Sequence, residues 1–353
     1  MYIILTSFAL LYIVTIFSTG EGREKQQRLM LIVCVILAFL AGTRNPDRWA
    51  DTWVYVRDFL SYSPPLYDYS VVAPYGYDEK GFHFLGSIVK TFTDDYVAYL
   101  LFVSAITFYV LYYDFKKYCI IPLLGVCDYV ARFYLNRNFI QIRSALAIAI
   151  VIFAIQYAFN KDWRRYFLFI FIAYLFHHSS LIAVPFYFFN KIKFKKWHVV
   201  FGLVLAMIAS VTLAPAIRDT VEQYSSDLQY EAYVGEEYQQ ADIGLRNPMI
   251  WLQLFLLLYF TFFEKRLKQF SEYYYLFRNA YFYSTLILIT FSQYTALSGR
   301  TSTMFATVEI AMVPILAMSF KKNQRLLFYV ITGVLLFFFF MLKQNTQSGA
   351  SPA

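Results

Sequence analysis

Charge is scarce in this sequence. Asp, Glu, Lys and Arg make up 15% of 353 residues, against 59% hydrophobic and 21% aromatic. Soluble domains carry about 25% charged and about 45–50% apolar residues. A water-soluble globule is therefore excluded, and so is a disordered chain. Mean hydropathy is +0.48. The three cysteines, Cys34, Cys119 and Cys127, are too few for a disulfide framework. The four histidines, His83, His177, His178 and His198, include no His-Glu-x-x-His. Adjacent His177 and His178 would point about 100° apart on a helix, which is poor ligand geometry. No metal and no cofactor is expected. No glycine-rich phosphate loop is present, which argues against a nucleotide-sugar donor. Residues 2–18 lack a preceding basic region and a following small-residue cleavage site, so they do not read as a signal peptide.

What the chain has is apolar length. A spanning helix needs roughly 17–25 apolar residues. Candidate runs are 2–18, 28–43, 96–113, 119–135, 141–159, 166–189, 198–216, 248–263, 276–297, 302–320 and 326–342. The net charge of +8 gains meaning from its distribution, not from a nucleic-acid partner. Basic clusters follow alternate runs: Arg23, Lys25 and Arg28; Lys116 and Lys117; Lys161, Arg164 and Arg165; Lys191 to Lys196; Lys265 to Arg278; Lys321 to Arg325. Together they hold 19 of the 31 Lys and Arg, and that excess assigns them to the cytoplasm. The connections 44–95 and 217–247 carry 15 of the 23 acids and lie outside.

This sorting makes two demands. Residues 79–93 must not span. Phe82, Leu85, Val89 and Phe92 form one apolar stripe, and Lys80, His83, Ser87 and Lys90 form a polar one opposite, as in a helix lying in the interface. Run 166–189 must enter and leave on one side, with His177-His178-Ser179-Ser180 at the tip of a re-entrant pair. The expected fold is an all-α polytopic membrane protein with about ten transmembrane helices, a re-entrant helical pair and an outer interfacial helix. It occupies residues 1–347 as one transmembrane domain. Residues 348–353 read as an appended tail without structural weight.

Polar residues gather on the outer side in a few groups. Arg44, Asp47, Arg48, Asp51 and Tyr55 follow the second span. Asp78, Glu79 and Lys80 open the interfacial helix. Arg132, Arg137 and Arg143 surround the turn Asn136-Arg137-Asn138. Arg300 precedes a late span. Arg132 reads as an i,i+4 partner of Asp128, and Glu309 as an intramembrane carboxylate of functional type. Guanidiniums fork onto phosphate oxygens, and a nearby carboxylate can take a proton from a hydroxyl. Such a set suits group transfer off a diphosphate leaving group. A membrane acyltransferase acting through His177-x-Ser179 and a transporter of lipid-linked or anionic solutes are the alternatives. Tyr224, Tyr230, Tyr233 and Tyr238, with Glu231, Glu236, Glu237 and Asp242, suggest a lid in the second outer loop.

Five stretches, "GTRNPDRWADTWVYVRDF" (42–59), "DEKGFHFLGSIVKTFTDDY" (78–96), "RNFIQIRSALAIAI" (137–150), "IAYLFHHSSLIAVPFYF" (172–188) and "SGRTSTMF" (298–305), resemble the EpsG branch of the Wzy-type bacterial polysaccharide polymerases. Arg44, Asp51 and Tyr55 match its Arg…Asp…Tyr element, and Glu79, Gly81 and Phe82 its Glu-x-Gly-Phe. Arg143 matches an Arg-Gln element, with Ser144 in place of Gln. His177 and Ser179 match Phe-His-x-Ser, and Arg300 the late Arg. Ala50 stands where the family usually has Gly. The resemblance implies a polytopic lipid-linked-sugar glycosyltransferase fold. The activity it implies is joining repeat units carried on undecaprenyl diphosphate, outside the bacterial cytoplasmic membrane. Glu79, or failing that Asp51, is then expected to be the base. Arg44, Arg137, Arg143 and Arg300 are expected to hold diphosphate, with Tyr55 also on the substrate and His177 and Ser179 orienting the scissile region. Implied partners are the lipid-linked donor and acceptor, membrane lipid, and a chain-length regulator and flippase of the same pathway.

Overall fold

A computed structural model describes residues 2–49, 51–72, 78–213, 216 and 244–348. The expected tyrosine-rich lid at 217–243 lies outside them. Every regular element among the described residues is helical. The chain divides into two compact units.

The first unit comprises residues 1–157, 162–181 and 309–353. Its helices are α1 (Tyr2–Ser18), α2 (Arg23–Gly42), α3 (Thr52–Tyr62), α4 (Lys80–Lys90), α5 (Tyr96–Tyr118), α6 (Pro122–Tyr129), α7 (Ile142–Phe159), α8 (Trp163–Phe176), and, after an excursion through the second unit, α14 (Glu309–Met318) and α15 (Arg325–Ser348). Ordinary capping chemistry sets several starts. Asp95 Oδ1 accepts the Val97 N–H at 2.9 Å, Asp162 Oδ1 accepts that of Arg165 at 3.1 Å, and Pro122 occupies the first turn of α6. Helix α2 packs along α5, and so closely that a Cβ on Gly42 would stand 2.6 Å from the Leu101 Cα.

The second unit comprises residues 158–161 and 182–308. Helices α10 (Lys196–Thr212), α11 (Pro248–Phe262) and α13 (Thr295–Ala306) pack on α12 (Tyr274–Thr290), and α9 (Phe186–Phe189) is a single turn. Buried hydroxyls tie these apolar helices together: Ser284 Oγ donates to the Ser302 carbonyl at 2.8 Å, and Thr285 Oγ1 to Gln253 Oε1 at 3.2 Å.

Among the described residues, four helices are long and apolar enough to cross a membrane: 23–42, 96–118, 142–159 and 322–341. Several of the remaining expected spans come out shorter or interrupted. Helix α11 has 15 residues, about 22 Å at 1.5 Å per residue, short of a hydrocarbon core of about 30 Å. The run 302–320 is broken at Thr307-Val308, and Glu309 begins the next helix. The run 166–189 breaks at His177, whose extended backbone (φ −161°, ψ 118°) ends α8.

Two local expectations are corrected. The turn expected at Asn136-Arg137-Asn138 is absent. Residues 130–140 continue α6 as a π-helix, a winding concentrated at functional sites, and it buries Arg137 and Asn138. The second concerns the local partner of Arg132. Its Nε donates to Glu309 Oε1 at 3.0 Å and its Nη2 to Oε2 at 3.5 Å, so the bidentate partner lies on α14. Asp128 stays in electrostatic contact with both. A two-oxygen acceptor facing the fork outcompetes a carboxylate one turn along the same helix. Glu309→Gln should leave a buried guanidinium half satisfied. The cost expected is near the lower end of about 3–5 kcal/mol, because Asp128 remains close, and it is readable as a lowered thermal midpoint in detergent.

Candidate functional site

The site residues of the first unit are brought together by α3, α4, the π-helix, α7 and the end of α8. Helix α4 spans about 16 Å at 1.5 Å per residue, too short to cross. Phe82, Leu85 and Val89 of its apolar stripe are buried, whereas Phe92, just past the helix, is 83% exposed, and His83 and Ser87 of the polar stripe are buried as well. Periodicity separates the two faces and does not say that protein covers both. His83 Nδ1 lies 3.7 Å from Asp58 Oδ2 on α3, which gives the buried imidazole a polar partner.

Glu79, at the head of α4, is buried. One carboxylate oxygen, Oε2, accepts from Arg143 Nη1. The other, Oε1, meets His177 Nδ1 at 3.2 Å. Three segments distant in sequence thus close on one carboxylate. Burial pushes the Glu79 carboxyl up, but the His177 hydrogen bond and the Arg143 charge outweigh it and hold it down at about 2. A carboxylate so stabilised is a poor proton acceptor near neutral pH, which counts against the base role expected from sequence. Because a carboxylate only accepts, Nδ1 of His177 carries a proton in this contact, and in the neutral ring the lone pair would then lie on Nε2.

Arg143 also lies with its guanidinium carbon 5.6 Å from the Tyr55 ring centre and in the field of Asp58. Tyr55 packs edge-on against Phe82 at 5.7 Å, and Asp51, at the head of α3, bears electrostatically on the same phenol. Arg44 reaches Tyr55 electrostatically from another side, together with Tyr99 and Tyr134. Its Nε donates to Thr52 Oγ1 at 3.0 Å and its Nη1 to the Ala41 carbonyl at 2.6 Å. The Thr52 hydroxyl donates in turn to the Phe139 carbonyl at 2.5 Å, which ties the start of α3 to the π-helix. Among the described residues no carboxylate pairs with Arg44, and its buried Nη2 has no hydrogen-bond partner. Burial lowers its pKa to about 10, leaving it cationic at neutral pH.

The remaining expected residues are placed as follows. Arg137 is buried with its guanidinium 4.2 Å from the Phe133 ring, and Tyr129, one helical stretch before, donates its hydroxyl to Asn138 at 2.7 Å. Ser179 is half-buried in a short 3-10 turn, 178–183, just past His177. Arg300 is exposed on α13 of the second unit. His178 turns away from His177, stacked on Tyr174 at 4.7 Å with Nδ1 3.7 Å from Asp78. No His, Cys, Asp and Glu group suited to a metal is found among the described residues. Asp58 and His83 were not singled out as site residues, although His83 lies one helical turn from Glu79 and Asp58 one turn from Tyr55, spacings that put each on its partner's face.

Gly81 sets the approach of α4 to α8. A Cβ there would stand 2.8 Å from the Leu175 carbonyl oxygen and 2.9 Å from its Cβ, so no side chain fits without moving a helix. Gly81→Ala should cost about 1–3 kcal/mol by overpacking and lengthen the Glu79–His177 contact. The expected readout is a lower thermal midpoint accompanied by loss of activity.

The chain matches the EpsG family over residues 27–351. It is 25% identical over 321 residues to the amylovoran biosynthesis protein AmsC of Erwinia amylovora, covering 86% of this chain and 82% of that protein. No solved structure matches it.

Proposed function

The chain belongs to the EpsG family, and from that premise, which makes it a membrane protein of polysaccharide biosynthesis, we propose that it is a glycosyltransferase that polymerises lipid-linked repeat units. The donor is a growing glycan on undecaprenyl diphosphate, and the acceptor is a hydroxyl of a lipid-diphosphate-linked repeat unit on the outer side of the cytoplasmic membrane. The bond between the donor's anomeric carbon and the diphosphate oxygen breaks, and its electron pair leaves with the diphosphate. A bond to the acceptor oxygen forms, and the acceptor's proton passes to a base.

One observation carries this reading: a cationic Arg44, buried with no carboxylate partner among the described residues, shares Tyr55 with the Arg143–Glu79–His177 cluster. A buried guanidinium lacking a counterion favours an anionic ligand, and the cluster beside it supplies proton-transfer chemistry. Arg44 and Arg143 hold diphosphate, with Arg137 contributing further positive charge. His177 receives the acceptor proton on Nε2. Glu79 orients His177 and Arg143 instead of acting as base, in the manner of the carboxylate behind a catalytic histidine. Ser179 and Tyr55 contact the glycan. Asp51 is the remaining carboxylate able to serve as base.

The test is performed in cells whose own polymerase gene is deleted and whose lipid-linked repeat unit is supplied. Expression of the chain should consume the unextended unit and restore high-molecular-weight polymer. Accumulation of the single repeat despite normal expression would overturn the proposal. Full-length polymer lacking only a substituent when the chain is deleted would favour acyl transfer instead.

A further inference from the structure

Outside the candidate site, the second unit devotes buried polar side chains to holding a loop that carries mainly lysine. Asn279 Nδ2 donates to the Ile192 carbonyl at 2.8 Å and to that of Asn190 at 3.4 Å. Arg278, 1% exposed, donates from Nη2 to the Phe194 carbonyl at 2.9 Å. Between these anchored carbonyls lie Lys191 and Lys193, with Lys195 and Lys196 just beyond, all exposed. The backbone N–H of Lys195 is fixed as well, donating to His198 Nδ1 at 2.8 Å.

The same guanidinium joins this loop to a second basic segment. Arg278 Nη1 lies 3.1 Å from Glu264 Oε2, and Tyr275 donates to Glu264 Oε1 at 2.6 Å. The one acid of that turn is therefore already neutralised, while Lys265, Arg266 and Lys268 beside it are exposed. Lys196 Nζ bridges to the Phe262 carbonyl at 3.2 Å. Exposed aromatic side chains flank the cations, with Trp197 60% and Phe262 50% exposed, the combination that settles at a lipid headgroup boundary.

We infer that these two segments form one fixed cationic shelf that binds the phosphate headgroups of anionic phospholipids in the cytoplasm-facing leaflet. Unanchored lysines would satisfy the charge bias of a cytoplasmic loop. Three carbonyls clamped by buried Arg278 and Asn279 give the lysines a defined spacing, which charge bias alone does not require. A cluster of four to eight Lys and Arg at the ends of apolar helices is the composition that recognises acidic headgroups. The inference is independent of the polymerase reading.

The full-length protein in detergent is titrated with phosphatidylglycerol or with phosphatidylcholine of the same acyl chains, and bound lipid is counted by native mass spectrometry. Phosphatidylglycerol should be retained preferentially. At about 1 kcal/mol per cation, or roughly fivefold each, combined Lys191→Gln, Lys193→Gln and Lys195→Gln should weaken it at least about tenfold. Asn279→Ala, which leaves every exposed charge in place, should weaken it severalfold. Lys321→Gln with Lys322→Gln, which removes two cations of the first unit that belong to neither segment, should leave it unchanged. Equal binding of the two lipids, or equal loss in the Lys321/Lys322 variant, would overturn the inference, as would a chain that binds an acidic peptide without preferring phosphatidylglycerol. If Asn279→Ala does not fold, the comparison of the two lysine variants decides.

Discussion

Arg143→Lys should lower polymer formation by about 100-fold or more while leaving the protein folded. The guanidinium performs several tasks that an ammonium cannot combine. It donates to Glu79 Oε2, lies 5.6 Å from the Tyr55 ring and sits in the field of Asp58. In the proposed reaction it also faces the charge that develops on the departing diphosphate. Removing one preorganised donor from such a position costs about 10²–10³ in rate. Lysine keeps the charge that Glu79 needs but loses the fork, so the effect falls on rate more than on stability. Arg143→Ala is the less informative variant. It strands a buried carboxylate at a cost of about 3–5 kcal/mol, which mixes unfolding with catalysis. Polymer yield on gels, normalised to protein in the membrane, reads the outcome. Wild-type polymer from Arg143→Lys would remove this residue from the reaction.

The second large effect is an ordering of two variants. His177→Gln should lower kcat by about 10²–10⁴, the range for a lost general base, and flatten the acid side of the pH–rate profile. Glu79→Gln should cost less, because its amide oxygen can still accept the Nδ1 proton, although the charge is lost and the amide NH2 then faces the Arg143 donor. The double variant should be little worse than His177→Gln alone, since residues acting as one unit are not additive. The reverse ordering would return the base role to Glu79. The depressed Glu79 pKa adds a signed pH effect. Its folded value of about 2 lies below the ordinary 4.5, so the ionised pair contributes stability above about pH 4.5. That contribution is lost as pH falls toward 2. The thermal midpoints of wild type and Glu79→Gln should therefore differ most near neutral pH and converge in acid.

Much of the helical framework can be read from apolar length, because an uninterrupted apolar run must satisfy its backbone internally. Helices α2, α5 and α7 appear over the runs 28–43, 96–113 and 141–159. The interruption at His177 falls on the polar quartet that marks it in the sequence. The break at Thr307-Val308 has no such signal, since Thr307 hides its hydroxyl by donating to the Thr303 carbonyl. Pairings across long sequence distance are the least legible. Arg132 finds Glu309 177 positions away, and Glu79 is 64 positions from Arg143 and 98 from His177. No local periodicity encodes those contacts. The resemblance of the motifs named the three residues, but it did not predict that the glutamate would be clamped by the other two. The burial of His83 and Ser87 was equally invisible, because helical spacing sorts residues into faces without stating what covers each face.

Extension of a purified lipid-linked substrate tests the central claim most directly. The chain is reconstituted without other proteins and given undecaprenyl-diphosphate-linked repeat units of a polysaccharide from its host. The account predicts a ladder of longer glycans still attached to lipid, with free undecaprenyl diphosphate released once per added unit. The same preparation of Arg143→Lys should yield almost none. Stoichiometric substrate left unextended by well-folded wild-type protein, or an undiminished ladder from Arg143→Lys, would contradict it.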